Sequence, residues 1–140
     1  MYVAERTAPS VTHAERRQPR QARQGEPWEY MLNGVSTRVT ITVVVPVLNE
    51  AANLPALFAA LPAVHEVLVV DGKSVDGTAE VVNELLPSAR VLRQDGRGKG
   101  DAMCVGLDAA SGDIVVFIDA DGSNEPAEVE RFVLALVNGA

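Results

Sequence analysis

From residue 39 onward, the sequence repeats one pattern: a short run of apolar, mostly β-branched residues, then a polar link and a longer helical segment. The short runs predict strands buried on both faces of a parallel sheet, and the longer segments predict amphipathic helices. The predicted strands cover residues 39–45, 66–70, 89–92 and 113–118, and the predicted helices cover residues 54–61, 78–86, 101–110 and 127–137.

This alternation of strands and helices with short connections predicts the fold class. It indicates a mainly parallel sheet with right-handed crossovers, in a Rossmann-like three-layer α/β/α arrangement. We expect the folded domain to span residues 37–140. Residues 1–36 are rich in Arg, Gln, Ala and Pro without sustained periodicity, and they predict a disordered N-terminal arm. Trp28, Tyr30 and Met31 are expected to dock on the domain where that arm ends.

Composition restricts the possible partners. The net charge is −7, and residues 1–38 carry +2, so the remainder carries −9. An acidic domain argues against nucleic acid binding, and a phosphate ligand would need a metal ion or a few well-placed cations. No apolar run approaches the roughly 18 residues that a membrane span requires. The only cysteine, Cys104, cannot form an internal disulfide, which agrees with a cytoplasmic location.

The last predicted strand runs directly into two carboxylates, Asp119 and Asp121, separated by one residue. Ligands of open α/β sheets bind at the carboxyl ends of the strands. Two neighbouring carboxylates repel each other, and a divalent cation such as Mg²⁺ or Mn²⁺ would relieve that repulsion. A simple strand-end turn explains Asp-Gly-Ser equally well, so this segment alone leaves both interpretations open.

Other strand ends also carry polar side chains. Asn49 and Glu50 follow the first predicted strand, where an acidic group could meet a ribose or a base edge, and Asp71 ends the second. Asp71 could accept hydrogen bonds from a base or ribose, or it could shape a turn. Lys99, between two glycines, could meet a phosphate, although spacing alone favours a solvated loop lysine. Their shared placement at one sheet edge predicts a binding cleft.

Several other chemistries are excluded by spacing. The segment 96–100 lacks the glycine spacing and the Ser or Thr of a Walker motif. The first strand-to-helix turn, residues 45–50, contains no glycine, which argues against a dinucleotide-binding Rossmann domain. The sequence also offers no Ser-His-Asp or Cys-His grouping of the kind used in nucleophilic catalysis.

Four segments, in this order and spacing, resemble a known family. They are Val43-Val44-Val45-Pro46-Val47-Leu48-Asn49-Glu50, Val70-Asp71-Gly72-Lys73-Ser74-Val75-Asp76-Gly77-Thr78, Gly98-Lys99-Gly100 and Asp119-Ala120-Asp121. Together they resemble the N-terminal half of family 2 glycosyltransferases of the GT-A fold, especially the dolichol- or polyprenyl-phosphate sugar transferase branch. The resemblance covers about residues 39–140.

The resemblance implies a role for each motif. It implies that the nucleotide is held by Pro46, Asn49, Glu50 and Asp71. It implies that Lys99 lies near the donor, and that Asp119 and Asp121 bind Mg²⁺ or Mn²⁺ together with the donor diphosphate. One departure is that many members have Asp-Asp-Gly-Ser where this chain has Asp71-Gly72-Lys73-Ser74.

The resemblance also implies a reaction and its partners. A single displacement with inversion would move a sugar from a UDP- or GDP-sugar donor to an acceptor such as a polyprenyl phosphate. The protein is therefore expected to be cytoplasmic and peripheral at the inner face of the membrane. Members of the family continue into an acceptor-binding half that supplies the catalytic base. The 140 residues are therefore expected to form a donor-binding half, and an uncovered edge could favour self-association.

Two alternatives remain at this point. The chain could be a truncated, non-catalytic domain that binds a nucleotide sugar or a partner chain. Residues 117–123 also resemble the first motif of haloacid-dehalogenase-type phosphatases, in which the first Asp is the nucleophile. That motif normally lies on the first strand, whereas here it follows the fourth.

Overall fold

The computed structural model describes residues 1–5, 14–16, 23–32 and 34–139. The strands are β1 (Tyr2–Glu5), β2 (Ala14–Arg16), β3 (Trp28–Leu32), β4 (Val35–Val39), β5 (Ile41–Val47), β6 (Glu66–Asp71), β7 (Arg90–Arg93) and β8 (Ile114–Phe117). The helices are α1 (Leu54–Ala60), α2 (Thr78–Leu85), α3 (Gly98–Ala109) and α4 (Val129–Val137), the last preceded by a 3₁₀ turn at Pro126–Glu128.

Five strands form the main sheet, in the order β1-β8-β5-β6-β7. Strands β8, β5, β6 and β7 run parallel, with Val43 opposite both Val67 and Val116. The chain moves outward from β5 through β6 to β7 and then returns through α3 to β8 on the other side of β5. The order of the strands thus reverses between β5 and β8, which is where open α/β sheets form their binding crevice.

The two faces of this sheet are covered by different helices. Val43 and Val45 pack in one buried cluster with side chains of α1, α2 and α4. Val44 lies in the other cluster, with Ala102 of α3. Alternation along β5 therefore produces three layers, since successive side chains of a strand point to opposite faces. The fold class predicted from the sequence is confirmed.

Helix α3 approaches the sheet closely at Gly106. A Cβ atom built on Gly106 would overlap the Val44 side chain. The absence of a side chain therefore lets the α3 backbone lie directly on β5, and it holds the first turn of α3 beside the carboxyl edge of the sheet.

Most predicted elements are confirmed within a few residues, with two differences. Helix α3 begins at Gly98 rather than at residue 101, so Lys99 lies in its first turn and not in a free loop. Pro46 lies inside β5 instead of ending it. The pairing of β5 with β8 ends at Val44, so at Pro46 the strand pairs only with β6, a position where a missing N–H is tolerated.

The prediction of a disordered arm is wrong for the N-terminal residues that the structure describes. Strand β1 pairs antiparallel with β8, and β2, β3 and β4 form a second, antiparallel sheet. The predicted boundary at residues 36 and 37 falls inside β4. The physical reason is burial: Trp28 is 1% exposed and donates from Nε1 to the Ala63 carbonyl, and Tyr30 is fully buried. Their predicted docking is confirmed, while residues 6–13 and 17–22 lie outside the described part.

Strands β1 and β7 form the two edges of the main sheet. Strand β1 covers the outer side of β8, and the Tyr2 and Phe117 rings lie 5.7 Å apart. The opposite edge is β7, a short strand with an exposed arginine at each end, which is a common protection against edge-to-edge pairing. Within the described ranges, no helix is both long enough and apolar enough to cross a membrane.

Candidate functional site

A cleft of about 520 Å³ opens at the carboxyl edge of the main sheet. Its walls come from the segments that follow β5, β6 and β7, from the first turn of α3, and from the chain just after β8. Several residues predicted from the sequence line the cleft, namely Pro46, Glu50, Lys99 and Asp119. The other predicted residues, Asn49, Asp71 and Asp121, lie outside its lining.

The closest charged contact in the cleft joins Lys99 to Asp119. Lys99 Nζ lies 2.5 Å from Asp119 Oδ1, and the two side chains are 58% and 30% exposed. Asp119 is held by its backbone, because its N–H donates to Asn124 Oδ1 at 2.8 Å. The sequence predicted both residues at this edge but did not predict that they pair.

Asp121 is exposed and lies two residues further along the chain. Its Oδ1 accepts a hydrogen bond of 2.9 Å from the backbone N–H of Ser123. The hydroxyl and the N–H of Ser123, and then the nearby charge of Lys99, hold the pKa of Asp121 below its ordinary value of 3.8. Asp121 is therefore ionised at neutral pH, as a metal ligand has to be.

Asp71 performs the turn role that the sequence left open. Its Oδ1 accepts two hydrogen bonds from Ser74, one from the hydroxyl at 2.6 Å and one from the backbone N–H at 2.9 Å. These two hydrogen bonds fix the backbone just beyond β6. A direct contact of Asp71 with a nucleotide remains a prediction.

Asn49 connects two of the loops that surround the cleft. It has a left-handed backbone with φ of 54°, a conformation that Asn tolerates better than most residues. Its N–H donates to Ser74 Oγ at 2.8 Å, and its Oδ1 accepts from the N–H of Val75 at 2.9 Å. The loop after β5 is thereby bound to the loop after β6.

Glu50 and Asp76 extend this connection to α2. Glu50 accepts a hydrogen bond of 2.6 Å from Asn53 Nδ2, so Asn53 does not cap α1 with its side chain as a sequence-based capping rule would predict. Asp76 accepts from the N–H groups of Ala51 and Thr78 and from the Thr78 hydroxyl. These hydrogen bonds, with the Thr78 hydroxyl first, lower the pKa of Asp76 below 3.8.

Three polar side chains of the lining were not predicted from the sequence. Gln94 is 4% exposed and donates from Nε2 to the Gly98 carbonyl at 2.8 Å, which supports the turn that presents Lys99. Lys73 and Arg97 are exposed cations in the cleft wall. Gln94 directly follows β7, so the strand-end rule applied to neutral polar residues would have found it.

The candidate donor set for a metal ion is a pair of carboxylates rather than a closed cage. In the part of the chain that the structure describes, no group of three or more His, Cys, Asp or Glu side chains is arranged to hold a metal ion. Asp119 and Asp121 could supply hard oxygen ligands for such an ion. Two carboxylates completed by substrate phosphates and water are a usual coordination for Mg²⁺ and similar ions.

Comparison with known proteins identifies the family. The model of glycosyl transferase family 2 matches residues 42–140. A glycosyltransferase of Mycobacterium tuberculosis, itself uncharacterised, is 43% identical over 100 residues that cover 71% of this chain and 45% of that protein. The undecaprenyl-phosphate 4-deoxy-4-formamido-L-arabinose transferase of Aeromonas hydrophila is 34% identical over 111 residues, covering 71% of this chain and 34% of that one.

Solved structures agree with this family. Glucosyl-3-phosphoglycerate synthase from Mycobacterium tuberculosis, crystallised with Mn²⁺, UDP and glucosyl-3-phosphoglycerate, superimposes with a TM-score of 0.63 at 34% identity. The match covers 71% of this chain and 40% of that one. The chain belongs to glycosyl transferase family 2 and has its GT-A fold, and it spans less than half the length of these relatives. This assignment replaces the haloacid-dehalogenase alternative.

Proposed function

We propose that this chain forms the donor-binding part of a metal-dependent, inverting glycosyltransferase that takes a sugar from a nucleoside-diphosphate-sugar donor. The observation that carries the proposal is the cleft at the carboxyl edge of the sheet, in which Lys99 and Asp119 face each other at 2.5 Å. A cation and a carboxylate in one cleft suit a diphosphate and a divalent metal ion at the same time.

The distribution of charge supports a phosphate ligand. The chain has a net charge of −7, yet Lys73, Arg97 and Lys99 all line this cleft. Because the rest of the domain is acidic, these cations are the local means of attracting an anion. We propose that Lys99 binds a donor phosphate oxygen.

The residues present fit a hard divalent ion. We propose that Asp119 and Asp121 hold Mg²⁺ or Mn²⁺, because both offer carboxylate oxygens and the hydrogen bonds from Ser123 keep the pKa of Asp121 below its ordinary value. When bound, the ion would neutralise the charge that develops on the departing nucleoside diphosphate. Pro46, Asn49, Glu50 and Asp71 would then hold the nucleotide, directly or by fixing the loops that surround it.

The proposed transfer requires little proton chemistry from this chain. The bond between the anomeric carbon and the diphosphate oxygen breaks while an acceptor oxygen bonds to that carbon from the opposite side. A phosphate monoester has its second pKa near 6, so it is largely a dianion at neutral pH and can attack without a general base. An alcohol acceptor would instead need a base to take its proton.

Analogy with the relatives supports a proposal for the donor and the acceptor. A structural neighbour was crystallised with UDP and Mn²⁺, and a sequence relative is named for an undecaprenyl-phosphate acceptor. We therefore propose a UDP- or GDP-sugar as donor and a lipid phosphate as one candidate acceptor, with the protein working peripherally at the inner face of a membrane.

Calorimetric titration tests the donor site. UDP-glucose and GDP-mannose are titrated with and without Mn²⁺ into the chain and into an Asp119→Ala/Asp121→Ala variant. We expect Mn²⁺-dependent binding of one donor, weakened by about 10- to 100-fold or more in the variant. A Glu84→Ala/Asp108→Ala variant removes the same charge from exposed helix faces and should bind like the original chain. Equal binding by all three proteins would contradict the proposal.

Binding without transfer is the second candidate function. A transfer assay distinguishes it, in which the radiolabelled sugar of the bound donor is offered to undecaprenyl phosphate in detergent. Donor binding with no labelled lipid product, by a chain that binds Mn²⁺ and donor normally, would favour a binding domain over a complete transferase.

A further inference from the structure

The ion pair between Lys99 and Asp119 places a positive charge where a metal ion would have to bind. Lys99 Nζ lies 2.5 Å from Asp119 Oδ1, within direct contact distance. A divalent ion on the same oxygen would lie beside the ammonium, and like charges so close repel each other. The metal and the lysine therefore compete for one carboxylate.

Lys99 is the mobile partner of this pair. Its side chain is 58% exposed, and the flanking Gly98 and Gly100 have open space where a side chain would lie. An ion pair made by such an exposed lysine is weak, because solvent screens it and ordering the long side chain costs entropy. Asp119 is the fixed partner, since it is 30% exposed and its backbone is tied to Asn124.

The diphosphate of a bound nucleotide gives the Lys99 ammonium another partner. Lys99 lines the same cleft as Lys73 and Arg97, so a diphosphate bound there lies within reach of a flexible lysine that can turn from Asp119 to a phosphate oxygen. Asp119 then becomes free for the metal, and the metal adds attraction for the phosphates. A metal ion that arrives alone has to displace the lysine without this help.

On the basis of the proposed function, we propose that Lys99 holds the place of the metal at Asp119 until the diphosphate binds, so that metal and nucleotide bind cooperatively. Because coupling between two ligands is reciprocal, UDP strengthens Mn²⁺ binding by the same factor by which Mn²⁺ strengthens UDP binding. The lysine is thus a positioning residue for the metal as well as a phosphate contact.

Titration of Mn²⁺ alone tests this proposal without any catalytic readout. Free Mn²⁺ is followed by electron paramagnetic resonance in the presence of the chain, with and without UDP. Lys99→Met removes the ammonium and keeps an unbranched apolar side chain that extends as far as the lysine Cε. We expect this variant to bind Mn²⁺ alone at least about fivefold more tightly than the original chain. We also expect the gain in Mn²⁺ affinity on adding UDP to become smaller.

Two further variants serve as controls. Lys73→Met removes the same charge from the wall of the same cleft, but Lys73 donates to the Asp95 carbonyl and does not contact Asp119. It should change the affinity for Mn²⁺ alone by less than about twofold. Lys99→Arg keeps a cation beside Asp119 and should behave like the original chain with Mn²⁺ alone.

The outcomes separate this proposal from the proposed function. Suppose that Asp119→Ala/Asp121→Ala abolishes Mn²⁺ and UDP binding while Lys99→Met leaves the affinity for Mn²⁺ alone unchanged. The proposed donor site is then supported, and the proposed competition between Lys99 and the metal is wrong. If Lys73→Met and Lys99→Met tighten Mn²⁺ binding equally, a general charge effect replaces the specific competition. If no protein binds Mn²⁺ even with UDP, both proposals fail.

Discussion

The side chain of Asn49 accepts a hydrogen bond of 2.9 Å from the backbone N–H of Val75, which lies in the loop after the neighbouring strand β6. Asn49 also donates its own N–H to Ser74 Oγ at 2.8 Å. One residue in a left-handed conformation thus joins the loop after β5 to the loop after β6. Leu48 and Glu50 beside it, and Gly72 and Lys73 across from it, line the cleft, so this connection sets the shape of one wall.

Two substitutions separate the hydrogen bond from the backbone conformation at this position. Asn49→Gly keeps the φ of 54° accessible and loses only the side-chain acceptor, so we expect a loss of about 0.5–1.5 kcal/mol in the free energy of unfolding. Asn49→Ala loses the same acceptor and retains a Cβ in the left-handed region, which makes it roughly 1 kcal/mol less stable than the Gly variant. Urea unfolding at pH 7 measures both. Equal stability of the two variants would show that the backbone conformation carries no strain.

The parallel part of the sheet could be predicted because the information is local. Each of β5, β6 and β8 is a short apolar run rich in β-branched residues, which favours a strand over a helix. Pro55 marks the start of α1. The N-terminal strands could not be predicted in this way. Strand β1 is four residues long and pairs with β8 near the other end of the chain, so nothing in its own sequence indicates its partner.

The sequence predicted the location of the candidate site but not the contacts between its residues. The strand-end rule places Lys99 and Asp119 at one edge because parallel strands end there together. The contacts depend instead on backbone conformations that spacing does not encode. Asn49 and Lys73 both have positive φ, and these conformations, rather than the order of residues, bring Asn49 to Val75 and direct Lys73 toward Asp95.

Lys73 has an unfavourable backbone conformation that a glycine would relieve. Its φ is 70°, and the family motif Asp-Asp-Gly-Ser has Gly at the corresponding place. Lys73→Ala keeps the strained φ, whereas Lys73→Gly removes the strain, so we expect the Gly variant to exceed the Ala variant by about 1 kcal/mol in stability, or about 3 °C in Tm. Thermal unfolding followed by circular dichroism gives the comparison. A Gly variant that melts at or below the Ala variant would contradict the assigned conformation.

The two glycines beside Lys99 should respond differently to alanine. Gly98 has a φ of +83°, whereas Gly100 lies inside α3 without a positive φ. A Cβ atom added at either position would meet no neighbouring atom within 4 Å. Gly98→Ala should therefore destabilise the chain by about 1–2 kcal/mol through backbone strain alone. Gly100→Ala should be neutral or stabilising by up to about 1 kcal/mol, because Ala favours a helix more than Gly does.

Urea unfolding and UDP titration with Mn²⁺ distinguish these two variants. The strained substitution also moves the first turn of α3, so we expect Gly98→Ala to weaken UDP binding while Gly100→Ala retains it. Similar effects of both substitutions on UDP affinity would mean that the position of Lys99 does not depend on the turn at Gly98.

The hydrogen bonds to Asp76 predict how stability depends on pH. The Thr78 hydroxyl, followed by the N–H groups of Ala51 and Thr78, keeps the pKa of Asp76 in the folded chain below its ordinary value of 3.8. A carboxyl with a depressed pKa in the folded state contributes stability that is fully present above 3.8. That contribution is lost as the pH falls through the lowered folded value, because protonation then removes the acceptor that holds α2 to the loop after β5.

Thr78→Val tests this relationship, because it removes the hydroxyl and nearly conserves the volume of a side chain that is 1% exposed. We expect the pKa of Asp76 to rise toward 3.8 in this variant, as measured by carbon NMR titration of the carboxyl group, assigned with an Asp76→Asn variant. We also expect the difference in unfolding free energy between pH 6 and pH 3 to become smaller than in the original chain. An unchanged titration of Asp76 would show that the Thr78 hydroxyl does not set its pKa, and that the backbone N–H groups alone hold the carboxylate in place.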